Sequence, residues 1–119
     1  MSKEISKDLV KVIVEGIQHK KGKEIVSVDL TNIDNAEVSG FVICEGDSST
    51  HVTSIADSVA AYVKKSKLTS VYGKDGYDNA EWIVVDCGSL FVHVFQPHVR
   101  KYYNIEELWA DCPVEKIND

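Results

Sequence analysis

The chain has 119 residues, 44% of them hydrophobic, and a formal net charge of −6 at pH 7. A chain of this length holds one domain around one core, and no apolar run approaches the roughly 20 residues of a membrane span. The acidic balance argues against free nucleic acid, whose binding depends on Lys and Arg neutralising phosphates, and favours basic protein surfaces as partners.

The three cysteines, Cys44, Cys87 and Cys112, are odd in number and widely spaced. That points away from a disulfide framework and towards a reducing cytosol. The opening Met1-Ser2-Lys3-Glu4 lacks the charged-then-apolar design of a signal peptide, so a cytoplasmic location is expected.

In chain order, Ser6 or Lys7 to about His19 reads as a helix, with Leu9, Ile13 and Ile17 on one stripe beside Val10 and Val14. Ser6 suits the N-cap and Gly22 the stop. Glu24 to Leu30 alternates Val26, Val28 and Leu30 with Ser27 and Asp29, the pattern of a half-buried strand. Thr31 to Ala36 is a turn-forming loop. Phe41-Val42-Ile43-Cys44, within Gly40 to Glu45, is a continuous apolar run suited to a strand buried on both faces.

Gly46-Asp47-Ser48-Ser49-Thr50 leads into a second helix ending near Lys65, whose stripe is Val52, Ile55, Ala56, Val59, Ala60 and Val63. Leu68 to Tyr72 is expected to form a short strand towards an edge, and Gly73 to Asn79 a flexible loop. Lys20-Lys21-Gly22-Lys23 and Lys64-Lys65-Ser66-Lys67 each follow a predicted helix, where cations suit the negative end of the helix dipole.

The stretch from Trp82 to Phe95 is the strongest signal. Two runs rich in β-branched and aromatic residues flank Gly88-Ser89, a two-residue link that predicts a hairpin with a type II′ turn. Register then sets Asp86 opposite Phe91, Val85 opposite Val92, Val84 opposite His93 and Trp82 opposite Phe95. One face carries Ile83, Val85, Cys87, Leu90, Val92 and Val94 and reads as core. The other carries Trp82, Val84, Asp86, Phe91, His93 and Phe95.

Three aromatics on that second face can bury roughly 450–750 Å² together, more apolar surface than monomers usually leave in water. A helix of the same chain, a second copy or another partner should cover it. Asp86 and His93 are diagonal neighbours there and would be costly deep in a core. A partly open surface with aromatic anchors and a polar rim suits them better.

After the hairpin, Pro97 opens a helix to about Tyr103, and Asn104 caps a short piece through Trp109. Pro113 to Asp119 is polar and is expected to fray.

Residues with chemical potential find structural uses. Gly46-Asp47-Ser48-Ser49 sits where phosphates are often held, but it lacks a Walker lysine or a G-x-G-x-x-G spacing, and Asp47 repels phosphate. His19, His51, His93 and His98 show no zinc spacing with each other or with the cysteines. Ser89 and His93 lie too far apart along a strand for a triad with Asp86. No catalytic residue, metal or cofactor is expected.

The ordered set Gly46-x-Ser48-Ser49-x-His51-Val52-x-x-Ile55-Ala56-Asp57, Ala80 to Gly88, Val92 to Phe95, Arg100-x-x-Tyr103 and Leu108-Trp109 resembles the Iojap-like ribosomal silencing factor family, from about Leu9 to Trp109. The resemblance implies a single α/β domain, core about 7–109, with a mixed sheet of about five strands packed with helices, related to the nucleotidyltransferase fold. Those enzymes hold two metal ions with closely spaced carboxylates. Here Val84 stands where the partner of Asp86 would be, so a non-catalytic descendant is expected.

The resemblance further implies docking on ribosomal protein fourteen of the large ribosomal subunit, which blocks small-subunit joining and damps translation when nutrients run short. Related organellar proteins assist large-subunit assembly, the alternative role, and a residual nucleotide-dependent transferase is the remote one. Trp82 is then the expected anchor and Asp86 a charge partner. His93, Phe95, Phe91 and Asp47 complete the candidate contacts, Asp57 is a weaker one, and Glu81 contributes steering. A free copy could pair with a second through the same face.

Overall fold

The computed structural model describes residues 5–118, so Met1–Glu4 and Asp119 lie outside the described residues. Helix α1 (Lys7–His19) starts where the Ser6 hydroxyl accepts the Leu9 amide, as the N-cap reading requires. Its end is a Schellman closure: Lys21 turns left-handed at φ 58°, while the Lys21 and Gly22 amides donate to Gln18 and Ile17 carbonyls. Helix α2 (Ser49–Ser66) is capped by Ser48, whose hydroxyl accepts the His51 amide. The two helices pack closely at Gly16, where a Cβ would lie 3.0 Å from Val59 Cα, and Ser58 Oγ donates to the Gly16 carbonyl at 2.7 Å.

Strands β1 (Lys23–Asp29), β2 (Gly40–Glu45), β3 (Gly73–Asp75), β4 (Trp82–Asp86), β5 (Leu90–Phe95) and β6 (Val114–Lys116) form one mixed sheet in the order β3-β4-β5-β2-β1-β6. Among the described residues only the β2–β5 pair is parallel, the crossover between them passing through α2. The β4–β5 hairpin has the register expected from its turn, from Trp82 opposite Phe95 to Asp86 opposite Phe91. Gly88 stands at φ 80°, a conformation that costs a residue with a Cβ. Ile83, Val85, Cys87, Leu90, Val92 and Val94 are fully buried beneath α1 and α2 in the main core.

Two expectations are corrected. The edge strand is Gly73–Asp75 rather than Leu68 to Tyr72. The earlier residues span the distance from the end of α2 back to the sheet, and pairing begins once the Tyr72 amide reaches the Asp86 carbonyl. Leu68 and Tyr72 are exposed, so their strand-like composition reports no burial, and the true edge is charged and glycine-containing, as exposed edges often are. Nor do residues 113–117 fray as expected: β6 pairs with the outer edge of β1, flanked by bonds from the Asp29 amide to Pro113 and from the Ile117 amide to Ile25. These short edge strands make six strands where about five were expected.

Helices α3 (Pro97–Tyr103) and α4 (Ile105–Leu108) cross the other face of the sheet. There Val26, Val28, Leu30, Val38, Ile43, Phe95, Val99 and Cys112 form a second core, so the one domain packs both faces of its sheet where its length predicts a single core. All three cysteines are buried free thiols. No helix among the described residues is long and apolar enough to cross a membrane.

Candidate functional site

Trp82 lies at the border between this second core and solvent. Its ring stacks on Phe95 at 4.9 Å and 26°, and meets Tyr103 of α3 at 5.0 Å. Its indole Nε1–H donates to His93 Nδ1 at 3.1 Å. Three contacts from two elements therefore fix a partly exposed indole in one orientation, which lowers the ordering cost of any docking it makes.

His93 is 7% exposed and stands edge-on to Phe41, 4.7 Å between ring centres. Because the indole can only donate, His93 Nδ1 must accept, and in the neutral ring the proton sits on Nε2. Among the described residues, that Nε2 is buried without a hydrogen-bond partner. Burial holds the His93 pKa down, to about 4, so the ring is neutral at physiological pH and the Trp82 bond intact.

The other candidates divide. Phe95 has no accessible surface, so its place among the contacts is corrected: it supports Trp82 from beneath. His93 likewise acts from below. Phe91 is partly exposed. Asp86 uses Oδ1 to accept the Gly88 amide at 2.9 Å, tying its carboxylate to the β4–β5 turn, at the far end of the strand from Trp82. Asp47 lies beyond the end of β2, on the Trp82 side of the sheet, and pairs with Lys23 at 3.0 Å. Asp57 accepts from Tyr77 Oη at 2.7 Å beside a polar cleft under α2, a contact that ties the loop after β3 to the helix. His51 accepts the Asp47 amide at Nδ1 and reaches the Lys20 carbonyl through Nε2, joining the end of α1 to the start of α2.

Sequence reasoning did not place the aromatic shelf beside Trp82. Tyr102 is 81% exposed, Leu108 75% and Tyr103 about half, and Tyr102 meets Tyr103 edge to face at 5.0 Å. Arg100-x-x-Tyr103 and Leu108-Trp109 are both motif segments, but only the fold shows that α3 brings Tyr103 to Trp82 while Trp109 lies against Phe41.

Arg100 is what holds them there. Its guanidinium grips Glu106 of α4 through two bonds of 2.7 and 3.0 Å, donates to the Glu24 carbonyl at 2.7 Å and reaches Glu45 at 3.3 Å. Burial works against the Arg100 charge, but its pairs with Glu106 and Glu45 outweigh this and raise its pKa. Burial also raises the pKa of Glu45, with Arg100 opposing the shift.

Glu81 precedes the indole and faces His98 at 3.9 Å; Glu106 and Glu107 stand on α4. An ordered aromatic surface beside Glu81 and Glu107, with Glu106 held by Arg100, is suited to grip a basic protein surface. Among the described residues, no three His, Cys, Asp or Glu side chains are grouped to hold a metal ion.

Comparison with known proteins places these features in a lineage. The family model described as ribosomal silencing factor during starvation matches residues 3–119. The chain is 33% identical over 103 residues to the ribosomal silencing factor RsfS of Chromobacterium violaceum, covering 87% of this chain and 83% of that protein. A crystal structure of a protein from the same organism superposes with a TM-score of 0.84 at 32% identity, covering 90% of this chain and 88% of that one. A mouse protein named for mitochondrial assembly of the ribosomal large subunit is 35% identical over 72 residues, covering 59% of this chain and 32% of that protein.

Proposed function

The chain belongs to the ribosomal silencing factor family, and from that premise we propose that it binds the large ribosomal subunit and represses translation by occupying the surface the small subunit needs. The docking element is the Trp82 border with its shelf of Tyr102, Tyr103 and Leu108, and the partner is a basic ribosomal protein, ribosomal protein fourteen of the large subunit. The observation that supports this most is the indole, pinned by Phe95, Tyr103 and His93 yet still partly exposed. Buried aromatic anchors of this kind dominate interface energies. Net charge −6 and the carboxylates around the shelf complement a cationic partner.

Mechanistically this is competition for a surface. It needs no bond-making step, and inhibition follows occupancy. The test is co-sedimentation of the protein with purified large subunits: wild type travels with them and Trp82→Ala does not. Retained binding by a folded Trp82→Ala protein sinks the assignment of this face.

The name of the mouse relative favours a second reading, assembly of the large subunit through the same surface. Gradient profiles of cells lacking the protein separate the two. Immature large particles favour assembly, whereas mature particles that keep translating in starvation favour silencing.

A further inference from the structure

The end of α2 does not share the acidic character of the rest of the molecule. From Ser58 to Lys74 the sequence has four lysines and no acid, in a chain of net charge −6. Lys64, Lys65 and Lys67 are exposed, and among the described residues none of the three pairs with a carboxylate. Lys64 and Lys65 lie in the last turn of α2, where the helix dipole accounts for them. It does not account for Lys67, for Leu68 at 50% exposure or for Tyr72 at 68%.

These side chains surround an open cleft of about 580 Å³, lined among others by Lys64, Lys67, Thr69, Ser70 and Tyr72. The cleft is built rather than loose. Lys67 closes the helix at φ 60°, Ser66 Oγ bonds the Val63 carbonyl and receives the Leu68 amide, and the Tyr72 amide is anchored on Asp86. Tyr72 also lies against the β4–β5 turn, where a Cβ on Gly88 would sit 3.1 Å from its ring and 3.1 Å from Thr69 Oγ1. Lysines, hydroxyls and an exposed, backed aromatic ring form the combination that holds a nucleic-acid backbone and stacks a base without reading sequence.

We propose that the Lys64–Lys67–Tyr72 cleft is a second contact, for the phosphate backbone of ribosomal RNA. It rests on the large-subunit reading above and adds a partner class to it. Helix α2 spans about 27 Å from its start at the Trp82 end of the sheet to these lysines. One end of the molecule thus grips protein through Trp82 while the other grips RNA through these lysines, and the two contacts together fix the orientation of the bound molecule.

Binding of the full chain to purified large subunits is measured from 50 to 300 mM salt, for wild type, a Lys64→Gln, Lys65→Gln, Lys67→Gln triple variant and Trp82→Ala. Each phosphate released contributes about 0.7–0.9 to the slope of log affinity against log salt. The triple variant should bind at least tenfold more weakly at low salt, with a slope shallower by about 2. Trp82→Ala should lose affinity at every salt concentration with its slope unchanged. A triple variant that keeps the wild-type slope overturns the proposal.

The native cysteines are buried, so Lys67→Cys supplies a selective attachment point for tethered iron–EDTA. Cleavage of ribosomal RNA near it supports the proposal. Contact with an acidic protein alone, without RNA cleavage, overturns it. If wild type fails to bind large subunits at all, the docking reading falls and this one with it. Loss of the slope difference alone removes only the RNA contact.

Discussion

Trp82 and His93 act as a unit in which each fixes the other. The indole can only donate, so their 3.1 Å bond needs a proton-free Nδ1 and sets the imidazole tautomer and the indole orientation together. As a partly exposed anchor, Trp82 should carry about 2 kcal/mol or more of the docking energy. Trp82→Ala is therefore expected to weaken large-subunit binding about 30-fold or more, read by titration against labelled subunits. His93 makes a separate prediction. Its pKa is about 4 in the folded protein against an ordinary 6.5, so below pH 6.5 the unfolded chain takes up a proton that the folded chain refuses. Stability is fully present above pH 6.5 and declines as the pH falls towards 4, by an amount approaching about 3 kcal/mol. Urea denaturation at pH 7 and pH 5 should show this loss in wild type. In His93→Gln, whose amide oxygen can still accept from Trp82, the loss should be smaller.

At the scale of elements, α3 and α4 are too short to hold themselves in place. The Arg100 clip docks them onto β1 and β2 through Glu24, Glu45 and Glu106. Arg100→Met leaves carboxylates facing one another without their cation and is expected to cost about 3 kcal/mol, with faster hydrogen exchange in α4 and weaker subunit binding. Strand β6 has a different role. It covers the edge of β1, so deletion from Pro113 onward should lower Tm and promote concentration-dependent association, seen by light scattering. Both features mark where the sequence was legible and where it was not. The hairpin and both long helices announce themselves through turn chemistry, caps and apolar period. Edge strands such as Gly73–Asp75 and Val114–Lys116 bury almost nothing and pair through backbone alone, so their side chains carry no signal. The candidate site was half legible. Alternation identified Trp82 and its face, but whether Phe95 lies above or below that surface depends on α3, a contact between distant segments that no local pattern records.

The whole molecule is a single sheet with one face sealed by long helices and the other only partly covered by short ones. The incomplete cover leaves Trp82 partly exposed and the short helices themselves present Tyr102, Tyr103 and Leu108, while the sealed face supplies the stiffness beneath them. On the proposed reading, a molecule built this way acts by position, blocking whatever needs the same ground. The most direct measurement of that claim is small-subunit joining followed by light scattering, with large subunits first titrated with the protein. Joining should fall in proportion to the fraction of large subunits occupied and recover with Trp82→Ala at the same protein concentration. Normal joining on large subunits shown to be saturated with wild-type protein would contradict the account.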